Sequence, residues 1–341
     1  MRIVVVSQAV AGSPPTAVVD AAVQAWRAVR PDDEVIGRPV SDGGVGLVDT
    51  VARTQDAVHH TEVAGPFGHP LTVTWVLRPD ATAVLEAAQV CGDAAAAAAP
   101  GDRAGQVWWG TSYGVGQLLD AARRHGARRL LLGVGGVAVG DLGVGALAGL
   151  GMRVLTGDGD GLKIGGEDLH RLARITDGWE GPWEGHDVVV LADVAETCAH
   201  VVDAERRGDG SALAEARGHA VSVLERDLAG PGTADERFTG AGGGLALGVR
   251  AALGAELAPG AAVIADVVGL AVELARAEAV LVVADTPSGQ TPAAADPTVA
   301  DLVAAAAPRL QALHVTVDAA ASGGDVTAAV EAGVHPVARE V

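Results

Sequence analysis

Lysine is almost missing from this 341-residue chain. Of 24 basic residues only Lys163 is a lysine, so a lysine that reaches a phosphate could only be Lys163. The 43 acidic residues outnumber the basic ones and give a net charge of −19. Nucleic acids and anionic membranes are held by clustered Lys and Arg, so the charge argues against both as partners. Cysteine is scarce as well. Cys91 and Cys198 alone make neither a disulfide framework nor a zinc site, and a reducing cytoplasm is the expected setting. No apolar run of 18 residues goes unbroken, so no membrane-spanning helix is expected. The opening stretch Met1–Val6 is too brief for a signal peptide, and no small-residue cleavage site follows it. The ten histidines include no pair at helical His-x-x-x-His spacing, so histidine-based metal ligation is not expected.

Glycine and apolar residues are plentiful. The 47 glycines and the 49% apolar content describe a globular chain with a sizeable core, long enough for two domains. The pattern opens as strand (3–6), loop, helix (from a Thr16 cap to Val29), strand (34–40), loop and helix (47–54), which implies a parallel sheet covered by helices. From about Ala57 it changes. Runs 60–63 and 71–77 alternate around Gly65-Pro-Phe-Gly68 and predict an antiparallel hairpin, with 81–88 as a further strand. A helix at 113–125, a strand at 129–132, a helix at 144–150 and a buried strand at 187–192 follow. The run 261–268 reads as a strand that restores strand–helix–strand order, with strands at 279–283 and 313–317 after it. The order is α/β, mixed insert, α/β. This predicts a discontinuous domain of residues 1–56 plus 255–341 around an insert of 57–254, with a ligand cleft between them.

Four glycine-rich loops precede helices: 7–15, 41–46, 133–143 and 239–244. Backbone N–H groups and the helix dipole converge on an anion at such places. Each is equally readable as a tight turn that needs glycine. None carries the Gly-Lys-Ser/Thr ending of a P-loop. Asp193 directly follows the apolar run Val188–Ala192, where α/β enzymes place catalytic acids and bases. Asp42, in Ser41-Asp-Gly-Gly44, is either a functional carboxylate at a strand end or a turn aspartate. Asp141 would cap the helix after the third loop. Gly110-Thr-Ser-Tyr-Gly114 fits the letters of a hydrolase nucleophile elbow with Ser112 as nucleophile, and equally a turn that starts a helix. Cys198 reads as an inert buried thiol.

Nine segments occur in an order that resembles one family. They include RIVVVSQAVAGSPPTA, RPVSDGGVG, VAGPFGHPLTVTW, GTSYGVGQLL, RRLLLGVGGVAVGDLGVGALAGLG, VVVLADV and FTGAGGGLALGVRAALGAEL. Over nearly its whole length the chain is similar to the bacterial glycerate kinases of the type I class. The resemblance implies a two-domain α/β protein, a Rossmann-like parallel-sheet domain interrupted by a mixed α/β insert. It also implies Mg-ATP-dependent phosphorylation of D-glycerate or a related small hydroxy acid, with an aspartate taking the hydroxyl proton. On it, Asp193 and Asp42 are the catalytic candidates. Gly133, Gly135, Gly136, Asp141, Gly143, Tyr113, Gly114 and Gly116 are the nucleotide and phosphate candidates. Gly43, Gly44, Gln8 and Gln290 would line the substrate site. No protein-bound metal site is evident.

The departures from that pattern fall on polar positions. The family's Asp-Ser-Phe-Lys before the first glycine has become Gln8-Ala-Val-Ala11, and Val45 replaces a glutamate. Val137, Val139 and Gly140 stand where the glycine-rich loop has two hydroxyls and an amide. Ala195 and Glu196 replace an Asp and an Asn, and Ala284–Pro287 replaces Gly-Glu-Gly-Arg. Glycines that shape backbone persist while phosphate-directed side chains are gone. The alternative to a kinase is therefore a degenerate relative that binds a small acid or nucleotide without turnover.

Overall fold

The computed structural model describes residues 1–97, 108–163, 165–178, 183–207, 211–285, 299–317 and 325–341. Along the chain these form β1 (Arg2–Ser7), α1 (Pro15–Val29), β2 (Glu34–Pro39) and α2 (Leu47–Val51), then the hairpin β3 (Ala57–Ala64) and β4 (Pro70–Leu77), followed by β5 (Thr82–Glu86). The short helices α3 (Ala88–Cys91) and α4 (Asp93–Ala96) precede α5 (Tyr113–Arg124), β6 (Arg129–Gly133), α6 (Val144–Gly149), and the strands β7 (Arg153–Thr156), β8 (Leu172–Thr176) and β9 (Asp187–Ala192). After these come α7 (Cys198–Arg207), α8 (Ser211–Leu224), α9 (Leu245–Leu253) and β10 (Glu256–Pro259). The chain closes with α10 (Gly260–Val267), α11 (Leu270–Leu274), β11 (Ala279–Asp285), α12 (Val299–Ala306), β12 (Gln311–Val317) and α13 (Val326–Glu340). Two compact units result, one of Met1–Val51 with Gly260–Val341, the other of Ala52–Pro259.

The first unit is built on a four-stranded parallel sheet of order β12-β11-β1-β2. Its two central strands, β1 and β11, are almost wholly apolar, as strands buried on both faces must be. Helix α1 buries Val18, Val19, Ala22, Ala25 and Trp26, an apolar stripe at helical spacing. These side chains pack with Ile3, Val5, Leu281 and Val330. The expected Thr16 cap is not the start of this helix. Pro14 is its N-cap and Pro15 its first residue, where the ring's fixed φ and missing N–H cost nothing. Thr16 sits inside the first turn.

The run 261–268, expected as a strand, is helix α10. Its buried residues are Gly260, Ala261, Ile264 and Ala265, spaced one helical turn apart. A short, largely apolar run does not distinguish a strand from a buried helix by periodicity alone. The strand at this point is the preceding Glu256–Pro259, which is only four residues long.

The second unit carries a six-stranded sheet of order β10-β9-β6-β5-β4-β3. Strands β10, β9, β6 and β5 run parallel, and the hairpin adds two antiparallel strands at one edge. Trp75, Leu85, Leu118, Leu130, Leu132, Leu147 and Val190 lie in its core.

One cluster of rings in this unit places a histidine where its protonation is disfavoured. His59 stacks on Trp75 with ring centroids 4.3 Å apart, and His125 meets both rings edge-on at 4.8 and 5.6 Å. His59 Nε2 is buried without a hydrogen-bond partner. Burial lowers the His59 pKa below its ordinary value, and the neighbouring His125 and His60 lower it further. The unfolded chain therefore takes up the proton more readily than the folded one. The contribution is fully present above the unfolded pKa of about 6.5 and is lost as pH falls below it. Thermal melts between about pH 8 and pH 5.5 should show the midpoint falling on acidification, and falling less in His59→Phe, which keeps the stack without titrating. Equal pH slopes for the two proteins would contradict this role.

Candidate active site

Loops at the carboxyl ends of parallel strands gather ligand-facing groups in an open α/β sheet. In the second unit three adjacent ends line up. Glu86 of β5 pairs with Gly133 of β6, and Gly133 with Leu191 of β9. With strands about 4.8 Å apart, Glu86 and Leu191 stand about two strand spacings from each other, and no side chain projects from Gly133 between them. The glycine loop leaves from Gly133, and half-buried Asp193 follows β9 at once.

Most of the glycine loop is buried. Gly136 is exposed and Val137 half-buried, while Gly133, Val134, Gly135, Ala138 and Val139 are enclosed. The loop is pinned at both flanks. Val134 N–H donates to the Leu191 carbonyl at 3.1 Å and Ala138 N–H to the Cys91 carbonyl at 2.9 Å. A second glycine turn, Gly240–Gly244, packs directly on it. Gly242 and Gly243 have φ of 61° and 64°, and a Cβ on Gly243 would collide with the Val139 carbonyl oxygen. Here glycine supplies both the left-handed backbone and the room for close approach. Arg217, buried on α8, donates to the Gly243 carbonyl at 2.9 Å and pairs with Glu205. Two loops that each read as an anion cradle thus form one interlocked block, whose exposed tip is Gly136.

Asp141 closes the loop from inside. Its carboxylate is buried, and Oδ2 accepts from Ser112 N–H at 2.8 Å, from Thr111 Oγ1 at 3.2 Å and from Gly145 N–H at 3.2 Å. Oδ1 accepts from Gly143 N–H at 3.1 Å and lies 2.9 Å from Ser112 Oγ. Ser112 Oγ in turn accepts from Ala146 N–H at 3.0 Å. Burial pushes the Asp141 pKa up, while the donors from Ser112, Gly143 and Thr111 oppose the rise. The carboxylate fills the amino end of α6, where a bound anion would otherwise sit. Ser112 is fully buried in the same clasp, which removes the hydrolase-elbow reading, since a nucleophile must reach its substrate.

Tyr113, Gly114 and Gly116 open α5. A Cβ on Gly114 would overlap the Ala64 carbonyl and one on Gly116 the Ala146 carbonyl. These glycines let α5 lie against β3 and α6. Tyr113 is half-buried.

In the first unit, Asp42 follows β2 within a tight turn. Gly44 N–H donates to Asp42 Oδ1 at 2.9 Å and Gly43 N–H to Ser41 Oγ at 3.1 Å. Burial raises the Asp42 pKa above the usual carboxylate value, against the Gly44 hydrogen bond. The turn sits tight on the start of α10, where a Cβ on Gly260 would overlap the Asp42 carbonyl. Gln8 is half-buried just after β1. Ser7 Oγ lies within hydrogen-bond reach of the Gln8 and Val283 carbonyls, at 2.8 and 2.9 Å. Gln290, like Thr286 and Pro287, lies outside the described residues.

Cys91 and Cys198 are buried. Burial pushes the Cys198 thiol up to about 11 and raises Cys91 as well, so neither is a thiolate nucleophile near neutral pH. Lys163 is exposed. Sequence reasoning missed Glu86, a buried acid at the carboxyl end of β5. Gln89 Nε2 approaches its Oε2 at 3.5 Å. The signal was present, since TAVLE ends an apolar strand in an acid as VVVLAD does.

The comparisons agree with this architecture. The family model described as the glycerate kinase family matches residues 3–339. An uncharacterized protein of Mycobacterium bovis is 32% identical over 267 residues, covering 75% of this chain and 63% of its own length. The glycerate 2-kinase of Escherichia coli K12 is 29% identical, covering 74% of this chain and 68% of that protein. A crystal structure described as a glycerate kinase 2 of Salmonella typhimurium LT2 superposes with a TM-score of 0.76 at 26% identity, over 100% of this chain and 96% of the other. The match thus spans under two thirds of the length of the mycobacterial relative. With the fold, the order of its loops and a family model that runs almost end to end all in agreement, the chain belongs to the glycerate kinase family.

Proposed function

We propose that this chain transfers the γ-phosphoryl group of ATP to a hydroxyl of D-glycerate or a closely related small hydroxy acid. The carrying observation is the carboxyl edge of the second unit's sheet, where Asp193 emerges from β9 beside the glycine loop that leaves β6. Family membership and the glycerate kinases among the relatives support the reading over a non-catalytic one.

The substrate hydroxyl oxygen attacks the γ-phosphorus. The bond from that phosphorus to the β–γ bridging oxygen breaks, ADP leaves, and the hydroxyl proton passes to the Asp193 carboxylate. The exposed backbone at Gly136 offers an N–H to a phosphate oxygen. Gly133, Gly135 and Gly143 set the loop's path, and the Asp141 clasp holds that path fixed. In the first unit, Asp42 with Gly43 and Gly44 presents a raised-pKa carboxylate on a compact glycine turn.

Among the described residues, no group of three or more His, Cys, Asp or Glu could hold a metal ion. Magnesium that arrives on ATP keeps its phosphate and water ligands and asks one or two carboxylates of the protein, a demand that single acids meet. Such an ion would neutralise charge on the β- and γ-phosphates. The partners are thus a nucleotide and a small acid. No helix of the described residues is long and apolar enough to cross a membrane.

Thermal-shift titration with Mg-ADP and Mg-ATP tests the nucleotide half of the proposal. A ligand at about 100 times its Kd adds about 2.7 kcal/mol of stability. A concentration-dependent rise in the midpoint is the expected result. A flat titration of well-folded protein would contradict a nucleotide site.

A further inference from the structure

The open edge of the second sheet is built to pair with another strand. Strand β3 lies at that edge, and among the described residues β4 is its one neighbour. Its register with β4 is continuous from Ala57↔Leu77 to Ala64↔Pro70, without a bulge. Gly65 N–H donates to the His69 carbonyl at 2.7 Å. Because the antiparallel ladder alternates, Val63, Thr61, His59 and Ala57 turn their backbone groups inward to β4. Val58, His60, Glu62 and Ala64 turn theirs outward.

At Ala64 the edge is closed, since its N–H donates to Gln117 Oε1 of α5 at 2.8 Å. The outward N–H and C=O groups of Val58, His60 and Glu62 have no partner among the described residues. All three residues are exposed, Val58 by 56%.

Natural edge strands are blunted by short length, proline, lysine or a bulge. The opposite edge of this sheet, β10, is four residues long and ends in Pro259. Strand β3 has eight residues, no proline, no lysine and no bulge, and its one charged side chain at neutral pH is the exposed Glu62. The segment Ala57–Ala64 carries two histidines and one acid, Glu62, so the edge offers both members of a histidine–carboxylate pair to a second copy.

We infer that β3 pairs antiparallel with β3 of a second copy of this chain across a twofold axis at Thr61, joining the two six-stranded sheets into one. This register places His60 of each copy opposite Glu62 of the other. The outward N–H and C=O groups of those two residues form four backbone hydrogen bonds. A histidine and a carboxylate in directly opposed positions attract, whereas like charges there repel. Pairing stops at the Gln117 contact on Ala64. A two-stranded contact is self-complementary in this orientation, as a twofold interface requires.

Sedimentation velocity of the full chain from about 1 to about 100 μM reads the assembly directly. The wild type should form a dimer in this range, and added salt should strengthen it by screening the net charge. Glu62→Pro removes an outward N–H and leaves the β4 ladder intact, so it should sediment as a folded monomer with the far-ultraviolet circular dichroism of the wild type. His60→Glu puts two acids opposite each other and should also be monomeric. The exchange His60→Glu with Glu62→His restores the opposed charges and should restore the dimer. A wild-type monomer at the highest concentration would overturn the inference. So would a dimer that survives both Glu62→Pro and His60→Glu, or a strand that pairs with a different protein while the chain alone stays monomeric.

Discussion

Replacing Asp141 by alanine should cost the second unit about 3–5 kcal/mol of stability, the range for removing one partner of a buried charged network. The carboxylate accepts from three backbone N–H groups and two hydroxyls within a site closed to solvent. Each buried donor left without an acceptor costs about 1–3 kcal/mol, and water entering the space of the lost carboxylate recovers part of that. Against a total of about 5–15 kcal/mol for a domain, the loss is large enough to see as a shifted urea midpoint or an unfolded variant. Asp141→Asn keeps one acceptor oxygen and should lose less. The expected signature is lost stability, with nucleotide affinity following only as the fold is lost. Unchanged stability with abolished nucleotide binding would instead make Asp141 a ligand-facing residue.

The second large effect is on chemistry. Asp193→Asn keeps the shape of the side chain and removes the proton acceptor. General-base catalysis contributes about 10²–10⁴-fold, so kcat should fall about 10³-fold, equivalent to about 4 kcal/mol in the barrier. The shift produced by Mg-ADP should be unaffected, since the proposed nucleotide contact is the glycine loop and not this side chain. A variant with wild-type kcat would show that the proton goes elsewhere, and Glu86, at the neighbouring end of the same sheet edge, would be the next carboxylate to remove.

Much of this fold was legible because its signals were local and redundant. Strands β1, β6 and β9 are apolar runs bounded by turn residues, and the hairpin 57–77 alternates on both sides of Gly65-Pro-Phe-Gly68. The run 261–268 was ambiguous because Ala261 through Ala265 are apolar throughout, and Asp266 alone does not mark a period. The role of the glycines was legible only in part. Sequence shows that 133–143 and 240–244 need glycine, but not that the need is mutual. Gly243 must be bare because the Val139 carbonyl comes to rest against it, a contact between residues far apart in the chain. Asp141 was readable as a cap. Its donors Thr111 and Ser112 come from another loop, and no local pattern connects them.

This interlocked packing also explains which family features survive. Gly116, Gly143 and Gly243 each face a neighbouring backbone, so a substitution there is felt by the fold. Gln8, Val45 and Val137 are not so constrained, since Gln8 and Val137 are half-buried and Val45 is exposed. They stand where the family pattern has polar groups. The frame is therefore kept by packing, and in the proposed reaction the retained acids would act with fewer helpers. Loss of a single transition-state cation costs about 10³-fold or more in related phosphoryl transfers, so turnover below the usual kinase range of about 1–100 s⁻¹ is expected.

The most direct measurement is phosphoryl transfer itself. Purified protein with Mg-ATP and D-glycerate would be followed by coupled ADP release and by phosphorus NMR of the product, beside Asp193→Asn. ADP release that needs D-glycerate, yields a phosphoglycerate and vanishes in the variant is the predicted result. Folded protein that binds nucleotide but forms no phosphoglycerate, or forms it equally well as Asp193→Asn, would contradict the assignment.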